Sequence, residues 1–108
     1  MTTFKIKRSS WCRGSNQSAL LRADDKMCCL GFVCKQLGIS EKLLRDRSYP
    51  NELHANAPAE LVASDGYDNA LSISAAYIND DATLSDSERE KALLSLFEKH
   101  GHELVFED

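Results

Sequence analysis

Three of the four cysteines crowd into one short segment, and their placement is the clearest sign of chemistry in this 108-residue sequence. Cys28 and Cys29 fall at the predicted start of a helix, where free backbone amides and the helix dipole stabilise a thiolate. Such a nucleophile needs a histidine, and His54, His100 and His102 are the candidates. A thiol-dependent hydrolase or transferase using Cys28 or Cys29 with His100 is therefore one hypothesis. Because buried cysteines more often pack as small apolar residues, we favour core packing.

The run Cys28-Cys29-Leu30-Gly31-Phe32-Val33 resembles the Cys-Ser-Gly-Phe-Val helix start of the NlpC/P60 cysteine peptidases. That resemblance implies a cysteine nucleophile with a histidine in a downstream strand. Leu30 separates the cysteine from the glycine of the motif, and none of the histidines has recognisable flanks. The sequence therefore favours a protein that is not an enzyme.

Neither of the two segments rich in ligand atoms matches a metal site. Adjacent cysteines followed by a helical Cys34 lack the paired C-x2-4-C spacing of structural zinc. A calcium loop starting at Asp81 would need glycine where Asp86 stands and glutamate where Ala92 stands. We expect no metal and no cofactor.

Two other segments carry residue types that suit a protein interface. Trp11 and Arg13 stand on a predicted loop, and tryptophan and arginine dominate interface hot spots. Asn79, Asp80 and Asp81 concentrate oxygen atoms at a predicted polar turn. We predict these five as binding residues. The alternatives are that Trp11 covers the core edge, that Arg13 pairs with an acid of the second half, and that the turn only caps helices.

The formal net charge of −4 hides a strong asymmetry. Residues 1–47 hold ten Lys and Arg against four acids, whereas residues 48–108 hold three against thirteen. The acidic total makes direct nucleic-acid binding an unfavoured function. Either the halves neutralise each other across paired strands, or a basic and an acidic face steer a charged partner. An acidic mimic of DNA would need the acids between Asp65 and Glu90 to line one exposed stripe.

The ends of the chain show the period-two alternation of half-buried strands. If they pair, Phe4 and Ile6 share the core face with Leu104 and Phe106, in either a parallel or an antiparallel arrangement. Further short strands are predicted over residues 18–22 and 60–63, the second leading into an Asp65-Gly66 turn. Residues 48–59 are predicted to be irregular.

Helical patterns occupy the remaining segments. The cysteine-bearing helix should be capped by Asp24 or Asp25 and end at Gly38, and its internal Gly31 indicates close approach of another backbone. A short helix should follow Ser40, and residues 71–78 fit either a helix, which we favour, or a strand. Ser85 with Glu88 forms a capping box for the last helix. The expected fold is α+β: one domain over residues 1–108, with a short sheet of both terminal strands and at least two packed helices.

The sequence contains no apolar run long enough to span a bilayer and no signal-peptide pattern, so we expect a cytoplasmic protein without a membrane partner. Several of its motifs resemble small uncharacterised proteins encoded by tailed phages and prophages. The motifs are Trp11-x-Arg13-Gly14, Lys26-Met27-Cys28-Cys29-Leu30-Gly31, Asn79-Asp80 and Leu96-Phe97-x-x-His100-Gly101. The resemblance implies a small accessory protein that binds a host or phage protein, such as a host factor or a defence component.

Overall fold

The first and last segments of the chain lie side by side as a parallel pair of strands, β1 (Thr2–Lys7) and β2 (His102–Glu107). Phe4 lies opposite Leu104 and Ile6 opposite Phe106, so these apolar residues share the core face. This confirms the predicted sheet of both terminal strands. The parallel direction is a finding that the alternation alone left open.

A computed structural model describes residues 2–15, 19–47, 49–62 and 71–108, without the side chain of His54. Between the strands, these residues form five α-helices: α1 (Cys29–Gln36), α2 (Glu41–Leu44), α3 (Ala59–Val62), α4 (Leu71–Asp80) and α5 (Asp86–Lys99). Short 3-10 turns cover Arg8–Ser10 and Pro50–Asn56. The helices belong to the long crossover that a parallel strand pair requires. No helix in the described ranges has the length and apolar character needed to cross a membrane.

One hydrophobic core lies between the sheet and the helices. Helix α1 packs on β1 and α4, while α5 packs on β2 and α4. An isolated pair of strands is marginally stable in water, so these helices provide most of the burial that stabilises it. The α+β fold is confirmed.

Helix α1 is the buried centre of the first half, since its first six residues, Cys29 to Cys34, are all buried. A Cβ added to Gly31 would lie 1.9 Å from the carbonyl oxygen of Leu20, which confirms the close backbone approach at this glycine. The helix is followed by Gly38, which has a positive φ of 95°. The predicted cap is wrong: Cys28 occupies the N-cap position, and Asp25 lies in a preceding turn with a φ of 67°.

Two predicted strands are also wrong within the described residues. Residues 19–22 contain only an isolated bridge between Leu21 and Arg45. Residues 59–62 form the single turn of α3, because a four-residue apolar run fits one helical turn as well as a strand. The segment predicted as irregular contains the 3-10 turn Pro50–Asn56. The predicted Asp65-Gly66 turn lies outside the described residues.

The two helices of the second half follow their sequence patterns. Helix α4 confirms the helical alternative for residues 71–78. The capping box of α5 is present: the Glu88 amide donates to Ser85 Oγ at 3.1 Å, and the Ser85 amide donates to Glu88 Oε1 at 2.9 Å. Both helices end or begin beside the Trp11 segment, and they position the candidate site.

Candidate functional site

The buried side chain of Asn79, at the end of α4, joins three parts of the fold. Its Oδ1 accepts hydrogen bonds from the Trp11 indole Nε1 at 2.7 Å and from the Cys29 amide at 3.0 Å. Its Nδ2 donates to the Cys12 carbonyl at 3.0 Å and to Asp80 Oδ1 at 2.9 Å. Asn79 is fully buried, so these bonds satisfy polar atoms that water does not reach.

Trp11 belongs to the core rather than to the surface, since only 4% of it is exposed. Its ring packs against Phe106 at 5.1 Å between centroids. The guanidinium of Arg13 lies over the indole at 4.6 Å and donates to Asp86 Oδ2 at 3.2 Å. The indole is therefore covered on its outer face by Arg13, and Arg13 pairs with an acid of the second half.

The buried side chain of Arg89 holds the turn between α4 and α5. Arg89, 2% exposed, donates to the carbonyls of Asp81 and Leu84 at 2.7 and 2.9 Å and to Asp86 Oδ1 at 2.7 Å. Gly14 packs against this guanidinium, since an added Cβ would lie 3.1 Å from Arg89 Nη2. The fold thus joins the predicted binding residues of the Trp11 loop and of the Asn79–Asp81 turn into one contiguous assembly.

A polar pocket of about 380 Å³ opens beside the Trp11 loop. The described residues that line it are Trp11, Cys12, Arg13, Ser15, Arg22, Lys26 and Asp86. Arg22 Nη1 donates to Cys12 Sγ at 3.0 Å, a contact that raises the pKa of Arg22. The hydrogen bond from Arg13 lowers the pKa of Asp86, which is therefore ionised at neutral pH. Three cationic residues and one carboxylate line this pocket, which is named here the basic pocket.

A groove lies between the surface of α4 and the segment that contains Tyr49. It consists of two adjoining pockets of about 370 and 510 Å³, both lined by Tyr49. The described residues that line them are Arg47, Tyr49, Asn51, Glu52, Ile73, Ala76, Tyr77, Ile78, Asp80 and Asp81. Tyr77 is 75% exposed and Tyr49 43% exposed. We call this feature the tyrosine groove.

The thiols that the sequence singled out lie inside the core. Burial raises the pKa of Cys28 to about 12 and that of Cys29 well above its usual range, although both stand at the start of α1 as predicted. Burial likewise raises the pKa of Cys34 to about 12. In these surroundings, desolvation outweighs the stabilisation that backbone amides give to a thiolate.

The structure does not bring Cys28 or Cys29, the two predicted nucleophiles, to His100. The backbone amide of Cys29 donates to Asn79 Oδ1 near the end where α5 begins, whereas His100 caps the opposite end of α5. A 14-residue helix is about 21 Å long. His102 lies in β2 with its ring against Phe4, and the side chain of His54 is outside the described part. Across the described ranges, no three His, Cys, Asp or Glu side chains form a group that could hold a metal ion.

Salt bridges between the two halves of the chain account for part of the charge asymmetry. Arg8 pairs with Glu90 and Asp108, each at 2.8 Å, and Arg13 pairs with Asp86 at 3.2 Å. Asp86 and Glu90 are therefore engaged by arginines. Asp65, the first acid of the stripe that DNA mimicry needs, lies outside the described residues.

Sequence reasoning missed several residues of these two surfaces. Arg22 and Lys26 enter the basic pocket because they stand at the two ends of one tight turn, in which the Arg22 amide donates to the Lys26 carbonyl at 2.8 Å. In the sequence, only the turn predicted at Asp24-Asp25 indicated that Arg22 and Lys26 lie close together. Tyr49 and Tyr77 are 28 positions apart in the sequence, and no local pattern links them.

Comparison of the chain with protein-family models, with curated proteins and with solved structures finds no match.

Proposed function

We propose that this chain is a protein-binding module and that it holds its partner in the tyrosine groove. The observation that carries the proposal is the exposure of Tyr77 (75%) and Tyr49 (43%), which line adjoining pockets along α4. Tyrosine is enriched at protein interfaces because it offers a large apolar ring with a polar tip. In the described part of the chain, the remaining large exposed apolar residue is Leu43, at 38%.

Charge around the groove indicates the chemistry of the partner. Asp80 and Asp81 line the pocket that contains Tyr77. Hydrogen bonds from the Thr83 side chain and amide lower the pKa of Asp81, so its carboxylate is charged at neutral pH. A partner segment with an arginine or lysine beside an apolar side chain would meet both carboxylates and the tyrosine rings.

The phage and prophage resemblance supplies the setting of the proposal. A small accessory protein in the host cytoplasm would act by occupying a host factor or a defence component. Two features of the structure favour protein binding over thiol chemistry. Burial raises the pKa of Cys28, whereas Tyr77 on α4 exposes its aromatic ring at the surface.

The decisive experiment compares matched serine substitutions. Partners captured from host lysate by the wild-type chain are identified and purified, and their affinities are measured for the wild type and for the variants Tyr77→Ser, Tyr49→Ser and Leu43→Ser. Loss of a hot-spot tyrosine weakens binding by about 30-fold. We expect this loss for Tyr77→Ser, a smaller one for Tyr49→Ser, and unchanged affinity for Leu43→Ser, which lies on α2 outside the groove.

Full affinity of Tyr77→Ser for every partner would rule out the groove as the binding surface. The DNA-mimic hypothesis is tested in the same assay, because it requires that added DNA displaces the partner and that salt weakens the complex. Displacement by DNA together with insensitivity to Tyr77→Ser would favour mimicry over the proposal.

A further inference from the structure

The basic pocket is independent of the tyrosine groove, and its residues have no part in the function proposed above. Three cationic side chains reach it from two segments of the chain, the Trp11 loop and the turn that ends at Lys26. The backbone fixes these segments to each other, since the Cys12 amide donates to the Met27 carbonyl at 2.8 Å and the Met27 amide donates to the Ser10 carbonyl at 3.0 Å. The cations are thus held close together by the fold.

The carboxylates near the pocket neutralise these cations only in part. Asp86 pairs with Arg13 but also with the buried Arg89, at 2.7 Å. Arg22 pairs with Asp24 at 3.3 Å. The exposed side chain of Lys26 takes part in none of the ion pairs among the described residues. The pocket therefore keeps a surplus of positive charge.

We infer that the basic pocket binds the phosphate monoester of a small organic molecule. A phosphate monoester carries a charge of about −1.5 to −2 at pH 7 and offers three strong acceptor oxygens, which suits a pocket whose three cations are only partly paired with Asp86 and Asp24. A carboxylate ligand carries a smaller charge. The volume of about 380 Å³ is within the range of small-molecule sites, roughly 300–1,000 Å³. Trp11 and Cys12 line the pocket but are only 4% and 7% exposed, so they offer the organic part a small apolar contact and the phosphate group should supply most of the affinity.

Phenyl phosphate, inorganic phosphate and benzoate are suitable probes, with binding followed by Trp11 fluorescence and calorimetry. Trp11 is the single tryptophan and lines the pocket, so its signal reports this site. We expect saturable binding of phenyl phosphate, about tenfold tighter than benzoate because of the additional charge-assisted hydrogen bonds. Inorganic phosphate should bind more weakly than phenyl phosphate because it lacks the organic group.

Lysine variants provide the matched comparison. Lys26→Gln should weaken phenyl phosphate binding by about tenfold, while Lys42→Gln, the same charge change on exposed α2, should leave it unchanged. Tyr77→Ser should also have no effect, so failure of this inference and failure of the groove proposal are distinguishable. The inference is overturned if phenyl phosphate does not saturate, if benzoate or inorganic phosphate binds as tightly, or if Lys42→Gln weakens binding as much as Lys26→Gln.

Discussion

Replacement of Asn79 by alanine tests the central packing argument, because this one side chain joins α4 to the Trp11 segment and to α1. The substitution removes the acceptor for the Trp11 indole N–H and for the Cys29 amide, and the donor to the Cys12 carbonyl. All three partner residues are buried, with exposures of 4%, 0% and 7%. Their polar groups would lose a partner without gaining full access to water.

The expected cost follows from these contacts. Leaving a buried donor or acceptor unsatisfied costs about 1–3 kcal/mol, so three such groups give about 3 kcal/mol at the lower end of the range. The free energy of unfolding of a small domain is only about 5–15 kcal/mol. Asn79→Ala should therefore remove a large part of the stability of the fold, even if water enters the space left by the amide.

Urea unfolding followed by Trp11 fluorescence measures this effect directly. The control is Asn56→Ala, which changes an exposed asparagine and should alter the free energy of unfolding by less than about 0.5 kcal/mol. A loss below about 1 kcal/mol for Asn79→Ala would show that the amide does not hold these elements together, given the range for unsatisfied buried groups.

Asn79→Asp adds a pH test of the same contacts. The introduced carboxyl keeps the acceptor for the indole. Its second oxygen replaces the amide nitrogen that donates to the Cys12 carbonyl and to the Asp80 carboxylate, so an ionised carboxyl would place two acceptors against each other there. Burial then favours the protonated carboxyl in the folded state and raises its pKa above the unfolded value of about 3.9. Stability should therefore fall as the pH rises above about 4, relative to the wild type. A parallel pH profile for the two proteins would contradict this.

Three further predictions concern the elements around the site. Gly31→Ala places a Cβ 1.9 Å from the Leu20 carbonyl oxygen and should destabilise the fold by about 1–3 kcal/mol or more in thermal unfolding; an unchanged melting temperature would contradict the close approach. Ser85→Ala should cost about 1 kcal/mol. The hydrogen bond from the Ser85 backbone amide, and then the one from its side chain, lower the pKa of Glu88, so the stabilisation from this carboxylate is present above pH 4.5 and lost as the pH falls through the lowered pKa. Because Ser85→Ala keeps the amide, the variant should retain part of this pH dependence, which unfolding measured across this pH range for the two proteins would show. Iodoacetamide should label the buried thiols of Cys28, Cys29 and Cys34 only as fast as the protein unfolds. Rapid labelling of the native protein near neutral pH would instead support the enzyme hypothesis.

Sequence alone was sufficient where structure depends on neighbours along the chain. The alternation around Phe4 and Leu104 identified both strands and their buried faces, and Ser85 with Glu88 located the start of α5, because these signals act within a few residues. The predicted cap of α1 failed for the opposite reason. Residues before Cys28 hydrogen-bond with the Trp11 segment, where the Met27 amide donates to the Ser10 carbonyl, and this non-local pairing outweighs a local capping signal.

Tertiary structure decided what the site residues do. Trp11 and Asn79 are 68 positions apart, and their separate patterns as an interface loop and a polar turn contain nothing that specifies a hydrogen bond between them. The same packing buries Cys28 and Cys29, joins Arg22 and Lys26 in one pocket, and leaves Tyr77 outside. Composition and periodicity determine which residue types are available and which faces they occupy. Only the long-range contacts determine which of those groups lose water and which stay exposed to a ligand.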